Sequence, residues 1–203
     1  MTRQKGAAWI VAFLLAGCSA TAPQDELPHP ESVTQFCESH GGKRTLERGP
    51  FGEIGVCVFE SNRQCEEWAL RLGACPRGGI PVGGYATTSE RHCAIRGGHM
   101  TIPGCALSPV GLYETKLPGA RGDGERNVTL VLDAGRVAML STASAGRASD
   151  LVPGRWQSAG GVVTVTLADQ RLSFSHTEDR LIAREWDRGT WGAAGPGTLL
   201  RRR

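Results

Sequence analysis

The first apolar pattern along the chain is helical, and it begins just after Pro30. Side chains that can line one helix face recur at positions i, i+3, i+4 and i+7. These positions are Val33, Phe36, Cys37 and His40. Proline is favoured at the first position of a helix, and glycine is favoured just past its end. The pattern therefore predicts a short helix that opens at Pro30 and ends at Gly41-Gly42.

A strand and a second helix are predicted further along. Residues 54–58 alternate between large and small or polar side chains, which is the period of a strand. Ser61 and Asn62 favour a turn. Cys65, Trp68 and Leu72 then share one face of a short helix that is closed by Gly73. The helix, the hairpin-like strand segment and the second helix together form a small α/β module.

From Leu107 onward the apolar period changes to two. Four segments alternate in this way, namely residues 128–132, 137–139, 163–167 and 172–174. Short polar turns separate them, so the pattern predicts an antiparallel β meander that closes into a small barrel or sandwich. Trp156, Trp186 and Trp191 are expected to be core or rim aromatics of this domain. The predicted fold class is α+β, with the small α/β module first.

The N-terminal residues have the pattern of a secretory signal. Arg3 and Lys5 precede an uncharged apolar run that is too short to span a bilayer, which takes roughly twenty residues. Leu15-Ala16-Gly17-Cys18 resembles the lipobox of bacterial lipoproteins. The resemblance implies cleavage before Cys18, lipidation of its thiol and a membrane anchor. We therefore expect the protein to be lipid-anchored in the cell envelope, facing the periplasm or the cell surface. Ser19, rather than Asp, follows Cys18, and by the sorting habit of Gram-negative lipoproteins this favours the outer membrane.

Six cysteines follow Cys18, and an even count in an oxidising compartment indicates disulfides before metal ligands. They are Cys37, Cys57, Cys65, Cys75, Cys93 and Cys105. No C-x-x-C pair is present, so neither a thioredoxin-like redox motif nor a zinc knuckle is indicated. The first four permit two bridges, each worth roughly 2 to 4 kcal/mol, in three possible connectivities. The last two are expected to close a loop of their own.

The chain divides into six predicted segments. They are a lipoprotein signal peptide (1–17), a tether (18–29), a Cys-rich module (30–76), a linker (77–88), a second cystine loop (89–106) and a β domain (107–203). The linker assignment rests on the run GGIPVGG, residues 78–84. The second loop repeats the C-x-x-x-G-G spacing of residues 37–42 at residues 93–98, which suggests a truncated internal copy of the module.

Charge argues against one class of partner. The sequence has 23 basic and 20 acidic residues, and removal of Arg3 and Lys5 with the signal leaves 21 bases against 20 acids. Neither half of the chain is as basic as a nucleic-acid binder, so no nucleic-acid partner is expected. The Arg201-Arg202-Arg203 tail is predicted to be a solvated end. Glu66-Glu67 is likewise predicted to lie on a solvated face.

No catalytic constellation is recognisable in the sequence. The G-x-S-x-G, H-E-x-x-H and phosphate-loop patterns are absent, so we predict no catalytic residue, no cofactor and no enzyme activity. One set of soft ligands would suit copper, namely His92, Cys93, His99 and Met100. Because Cys105 offers Cys93 a disulfide partner, we predict no metal site. His176 alternates with apolar strand residues and is expected to be a packed or solvent-facing histidine rather than a base.

Residues 30–76 are similar to a small bacterial envelope domain family of unknown function that carries the label hemolysin. The similarity rests on Ser32-Val33, Cys37, Gly41-Gly42, Gly55-Val56-Cys57-Val58-Phe59, Cys65-Glu66-Glu67-Trp68 and Gly73-Ala74-Cys75. The resemblance implies no catalytic residue. A lytic protein needs a long amphipathic helix or a membrane-inserting strand pair, and the sequence predicts neither.

The β domain looks like the lipocalin-like β domains of bacterial envelope lipoproteins, among them copper-resistance and stress-sensor types. The matching pieces are Gly111-Leu112-Tyr113-Glu114, Asn127-Val128-Thr129-Leu130, Gly154-Arg155-Trp156, Val163-Thr164-Val165-Thr166-Leu167 and Glu185-Trp186-Asp187. The cysteine pair of the copper members is absent from this chain.

These observations predict a non-enzymatic, lipid-anchored envelope protein that acts by binding, because stapled modules and barrel mouths offer rigid surfaces without reactive groups. One partner class is a hydrolase, since residues 57–75 faintly resemble the strand, turn and helix of Kazal protease inhibitors and a lipid-anchored barrel suits a lysozyme inhibitor. The alternative is a metal-sensing or envelope-stress-sensing lipoprotein. The partner at the membrane is the bilayer itself, through the anchor at Cys18.

Overall fold

The computed structural model describes residues 30–49, 52–118, 124–144, 149–185 and 197–202. The predicted signal peptide, Cys18, the rest of the predicted tether, Trp186 and Trp191 lie outside these ranges. Within the described ranges, no helix has the length and apolar character needed to cross a bilayer.

The Cys-rich module is built on a four-stranded antiparallel sheet. Its strands are β1 (Lys43–Gly49), β2 (Gly52–Val58), β3 (Arg63–Glu66) and β4 (Ile80–Pro81), in that spatial order. The predicted helices are α1 (Pro30–Ser39) and α2 (Glu67–Arg71). Residues 77–88, predicted as a linker, contain β4, which pairs with β3 through Arg63 and Gln64.

The predicted start of the second helix is wrong by two residues. Cys65 lies in β3, opposite Cys57 of β2, and α2 begins only at Glu67. The reason is a cap: the Glu66 carboxylate accepts the backbone N–H groups of Trp68 and Ala69 at 3.0 and 2.8 Å. A side-chain acceptor at this position satisfies donors that the first helical turn leaves unpaired.

A third helix and a short hairpin follow. Helix α3 (Thr88–Ile95) opens with a capping box, in which Thr87 and Glu90 each accept the other's backbone N–H. The hairpin consists of β5 (His99–Thr101) and β6 (Gly104–Ala106), which form a separate two-stranded sheet.

The remaining strands close into an eight-stranded antiparallel barrel, which confirms the predicted meander and selects the barrel over the sandwich. The strands are β7 (Gly111–Pro118), β8 (Glu125–Leu132), β9 (Val137–Ser144), β10 (Asp150–Ala159), β11 (Val162–Leu167), β12 (Arg171–Thr177), β13 (Arg180–Glu185) and β14 (Thr198–Arg201). Closure comes from pairing of β14 with β7. Inward residues such as Leu130, Val163 and Phe174 are fully buried, as the alternation predicts.

The module closes one end of this barrel. We call this end the capped end; it carries the turns at residues 133–136, 160–161 and 178–179. Three module side chains, Val33, Trp68 and Leu72, belong to the same buried apolar cluster as the barrel interior. A backbone hydrogen bond also links the module to the barrel, because Leu72 O accepts the N–H of Ala134 at 2.9 Å. The side of the module that faces the barrel therefore shares one core with it.

Candidate binding surface

Three disulfides, as predicted from the even cysteine count, staple the part of the chain that precedes the barrel. The bridges are Cys37–Cys57, Cys65–Cys75 and Cys93–Cys105. They select one of the three connectivities that the sequence left open for the module. Their loops span 20, 10 and 12 residues, so the chain-entropy model gives each roughly 3 kcal/mol of stabilisation.

The third bridge fixes the hairpin of β5 and β6, which we call the tip hairpin (residues 99–106). Met100 pairs with Cys105 and Thr101 pairs with Gly104, which leaves a two-residue turn at 102–103. The Thr101 hydroxyl donates to Gly104 O at 2.7 Å across this turn. The disulfide from Cys105 then ties the hairpin to Cys93 on α3. The turn is held by a backbone ladder, a side-chain hydrogen bond and a covalent staple.

Ile102 stands at the tip with its side chain fully exposed, at 106% of the reference area. Among the described large apolar residues it is the most exposed. Met100, two residues earlier in the hairpin, is 46% exposed, and Tyr85, which precedes α3, is 41% exposed. Exposed apolar side chains that occur singly are ordinary on a protein surface, whereas grouped ones mark interaction sites. The tip hairpin therefore presents two exposed apolar side chains, Ile102 and Met100, on a rigid support.

A cleft of about 300 Å³ opens beside the tip hairpin, and we call it the hairpin cleft. It is lined by Tyr85, Glu90, Ala94, Gly98, His99 and Met100. Glu90 is held in place because its Oε2 accepts the N–H groups of Ala86 and Thr87 at 2.8 and 3.1 Å. The cleft has the size of a small-ligand or side-chain pocket.

The candidate metal ligands do not come together as one set. The Cys93 sulfur is in a disulfide and is not available as a thiolate. His92 is buried, and its Nε2 lies 3.1 Å from Glu47 Oε2. His99 and Met100 are exposed at the hairpin cleft. In the part of the chain that the structure describes, no group of three His, Cys, Asp or Glu side chains is placed to hold a metal ion.

His92 and Glu47 belong to a small polar cluster that ties α3 to β1. The Arg91 guanidinium contacts both Glu47 oxygens, with Nη2 at 2.5 Å from Oε2. The Arg91 hydrogen bond holds the pKa of the Glu47 carboxyl below its usual range, although burial opposes this, and His92 adds to the lowering. The cluster fixes the helix from which the tip hairpin is stapled.

A largely buried charge cluster joins this stapled region to the capped end of the barrel. Its members are the buried Glu66, Arg96 and Arg201 and the partly buried Asp179, two acids and two bases. Arg96 Nη2 lies 2.6 Å from Asp179 Oδ1, and Arg201 Nη1 donates to Ser108 O at 3.2 Å. Burial raises the pKa of the Glu66 carboxyl, whereas the charges of Arg201 and Arg96 oppose the rise.

Two predictions are wrong here: that Glu66-Glu67 lies on a solvated face, and that the C-terminal arginines form a solvated end. Glu66 and Glu67 are 2% and 6% exposed, and Arg201 is 5% exposed. Glu66 is buried because it caps α2, and Glu67 because Arg44 Nε reaches its Oε1 at 2.6 Å. Arg201 is buried because it lies in β14, which pairs with β7 to close the barrel. Each partner is distant in sequence or is a backbone group, so charge patterning alone could not reveal the burial.

His176 lies at the same end and is partly buried, as the packed alternative predicted. Its Nε2 is 3.5 Å from the hydroxyl of Tyr113, which donates to Pro109 O at 3.0 Å. Burial lowers the pKa of His176 and raises the pKa of Tyr113 to about 12. Both groups are therefore kept neutral by their surroundings.

Comparison with known proteins adds one assignment to this geometry. Residues 31–74 match a domain of unknown function, DUF333. The match covers about a fifth of the chain and ends one residue before Cys75. The DUF333 region therefore contains α1, the sheet strands β1 to β3 and α2, which is the part that caps the barrel. The tip hairpin and the barrel lie outside the matched residues.

No curated protein and no solved structure matches the chain. The DUF333 assignment agrees with the predicted family of unknown function and carries no activity with it. The sequence reasoning had missed the tip hairpin, since three-residue strands are too short to show a period. The available signal was the spacing of Cys93 and Cys105 around an apolar residue followed by Pro103 and Gly104.

Proposed function

We propose that this protein is a non-enzymatic, lipid-anchored envelope protein that binds a partner protein through the tip hairpin. The observation that carries the proposal is the full exposure of Ile102 on a turn fixed by the Cys93–Cys105 bridge. A rigid apolar anchor that fills a pocket on the partner is the usual centre of a strong interface. Burial of one isoleucine side chain contributes roughly 1.5 to 3 kcal/mol, or about 10- to 100-fold in affinity.

Preorganisation of the turn supports this role. A flexible loop loses conformational freedom when it docks, and that loss is subtracted from the affinity. Here the ladder of β5 and β6, the Thr101 hydrogen bond and the disulfide hold the turn before any partner arrives. The hairpin can therefore present Ile102 at a small entropic cost.

The partner class that fits best is a hydrolase with an open active-site cleft. The tip hairpin is convex and narrow, and active sites are concave and lined by apolar side chains. Ile102 would occupy a pocket for branched aliphatic groups, while the hairpin cleft beside it accepts a side chain from the rim of the enzyme. Such binding blocks the cleft, so the expected effect is inhibition.

The lipid anchor places this surface near a membrane. Cys18 precedes α1 by twelve residues, and a segment of that length spans at most about 40 Å when fully extended. The start of α1 would then lie within about 40 Å of the bilayer, so the partner is expected to act close to the membrane. Palmitate labelling tests the anchor directly: it is expected for the natural chain and lost in Cys18→Ala.

The binding test uses a soluble chain that starts at Ala20, with disulfides intact. Lysozyme and serine proteases with pockets for aliphatic side chains are each presented in free form and with the active site covalently blocked. The proposal expects capture of a free enzyme, loss of capture after blocking, and loss of capture by the reduced protein. Equal capture of free and blocked enzyme, or no capture at micromolar concentration, would contradict the inhibitor proposal.

A second candidate function, binding of a soft metal ion, is supported by one observation. His99, Met100 and Glu90 line the same cleft, and imidazole and thioether groups are suitable ligands for copper. Calorimetric titration with Cu(II) and with Cu(I) under anaerobic conditions tests it. One-site binding that is lost in the His99→Gln, Met100→Leu double variant supports this function, and unchanged binding in that variant contradicts it.

A further inference from the structure

A second pocket, of about 390 Å³, lies where α2 meets the barrel, and we call it the α2 pocket. One wall comes from the module, including Phe36, Leu70 and Pro76, and the other comes from the turn at residues 133–135 between β8 and β9. It shares no lining residue with the hairpin cleft. A junction between two packed units is a common place for a small-molecule site.

Two arginines, Arg71 and Arg77, line the α2 pocket and are exposed. Among the described residues neither guanidinium has an ion-pair partner, although six other basic side chains do pair with Asp or Glu. Arg71 is oriented because its guanidinium stacks over the Phe36 ring at 4.9 Å from the centroid. Two available guanidiniums at one pocket form a suitable site for a carboxylate or a phosphate.

Two features of the pocket could repel an anion, and the structure accounts for both. The C-terminal carbonyls of α2 carry partial negative charge. Backbone donors offset part of this charge: Gly73 N–H reaches Leu70 O, and Ala134 N–H reaches Leu72 O just past the helix end. Asp133 also lines the pocket, but its Oδ1 accepts the Val137 N–H at 2.8 Å. Two arginines against one aspartate leave the pocket with a net positive charge.

We infer that the α2 pocket binds a small organic anion, with its carboxylate or phosphate on Arg71 and Arg77 and an apolar stem against Phe36 and Leu70. The charge complementarity selects the head group, and the apolar wall selects a stem over a bare inorganic ion. This site does not depend on the proposed function of the tip hairpin, and its ligand would reach it without the hairpin being involved.

Calorimetry with three probes that each carry an eight-carbon chain, used below their micelle concentrations, and with inorganic phosphate tests the inference. Octanoate and octyl phosphate are expected to bind one to one, with dissociation constants of about 1 mM or below. Octyltrimethylammonium and inorganic phosphate are expected to bind at least about tenfold more weakly. Equal binding of the octyl cation would overturn the charge argument, and equal binding of inorganic phosphate would overturn the role of the stem.

Variants locate the site. The double variant Arg71→Gln, Arg77→Gln is expected to weaken octyl phosphate binding at least about tenfold, and Asp133→Asn is expected to strengthen it. The matched control is the double variant Arg48→Gln, Arg155→Gln, which removes two exposed arginines elsewhere and should leave the affinity unchanged. Unchanged affinity in the first double variant, with its circular dichroism spectrum intact, would refute the site.

One further variant separates this inference from the proposed function. Ile102→Asp alters the tip hairpin and is expected to bind octyl phosphate like the natural protein, because Ile102 does not line the α2 pocket. Loss of hydrolase capture with retained octyl phosphate binding leaves both proposals standing. Loss of octyl phosphate binding in Ile102→Asp would contradict the independence of the two sites.

Discussion

Replacement of Trp68 by alanine removes the largest side chain that the module contributes to the shared core. Trp68 is 4% exposed and belongs to the buried cluster of the barrel interior. A buried tryptophan removes roughly 200 Å² from water, which at about 25 cal/mol per Å² corresponds to about 5 kcal/mol. Measured Trp→Ala substitutions in cores cost about 3 to 5 kcal/mol. Arg202 stacks over the ring at 5.7 Å and adds little to this value.

The assay is guanidinium chloride unfolding followed by far-ultraviolet circular dichroism, which reports mainly on the barrel strands. We expect Trp68→Ala to lower the free energy of unfolding by about 4 kcal/mol, a large part of the 5 to 15 kcal/mol typical of a domain. The midpoint should shift in one cooperative transition. Trp68→Phe is the matched control and should lose less, because it keeps an aromatic ring in the core.

The reasoning would be refuted by a barrel transition that keeps its midpoint in Trp68→Ala. That result would mean that the barrel core is complete without the module. A second, earlier transition assigned to the module alone would carry the same meaning, because a shared core requires the two parts to unfold together.

Three further predictions concern the contacts that surround this core. Arg96→Leu removes the side chain that lies 2.6 Å from the partly buried Asp179 carboxylate and should cost about 1.5 to 3 kcal/mol in urea unfolding. Removal of the Cys93–Cys105 bridge by double substitution to alanine should cost roughly 3 kcal/mol and increase hydrogen exchange in residues 99–106. The natural protein should lose stability as the pH falls below about 6.5, because burial lowers the pKa of His176 in the folded state and the unfolded chain therefore takes up the proton first. His176→Gln should abolish this loss.

Each of these has its control. Asp179→Asn with Arg96→Leu should be less destabilised than Arg96→Leu alone, and equal losses would argue against a coupled pair. For the bridge, unchanged exchange in residues 99–106 would show that the hairpin does not need its staple. For the pH effect, His99→Gln at an exposed position should keep the slope of the natural protein. A slope that persists in His176→Gln would contradict the assignment.

Periodicity predicted much of the fold because burial of one face of a helix or strand imposes it on the sequence. The stripe from Val33 to Cys37 became α1, and the alternation at residues 128–132 and 163–167 became β8 and β11. The even number of cysteines predicted the disulfides, since a small module needs covalent support. The predicted signal peptide, the lipidation of Cys18 and the envelope location remain predictions.

The parts that sequence reasoning missed depend on contacts between distant residues. Glu66 looked solvated because its carboxylate accepts from the backbone N–H groups of Trp68 and Ala69, which are brought to it only when α2 forms. Arg201 looked like a free tail because its burial follows from pairing of the last strand with β7, far back in the chain. The exposure of Ile102 depends on a turn between strands of only three residues each.

The most direct test of the central claim is an inhibition curve for a captured hydrolase, measured with three proteins. They are the natural soluble chain, Ile102→Asp, and the control Leu46→Asp, which changes an apolar residue that is 55% exposed on β1. The account predicts that Ile102→Asp raises the inhibition constant about 100-fold, since it loses the buried isoleucine and places a charge in an apolar pocket. Leu46→Asp should leave the constant unchanged. Equal inhibition by the natural chain and by Ile102→Asp would contradict the claim that the tip hairpin is the binding surface.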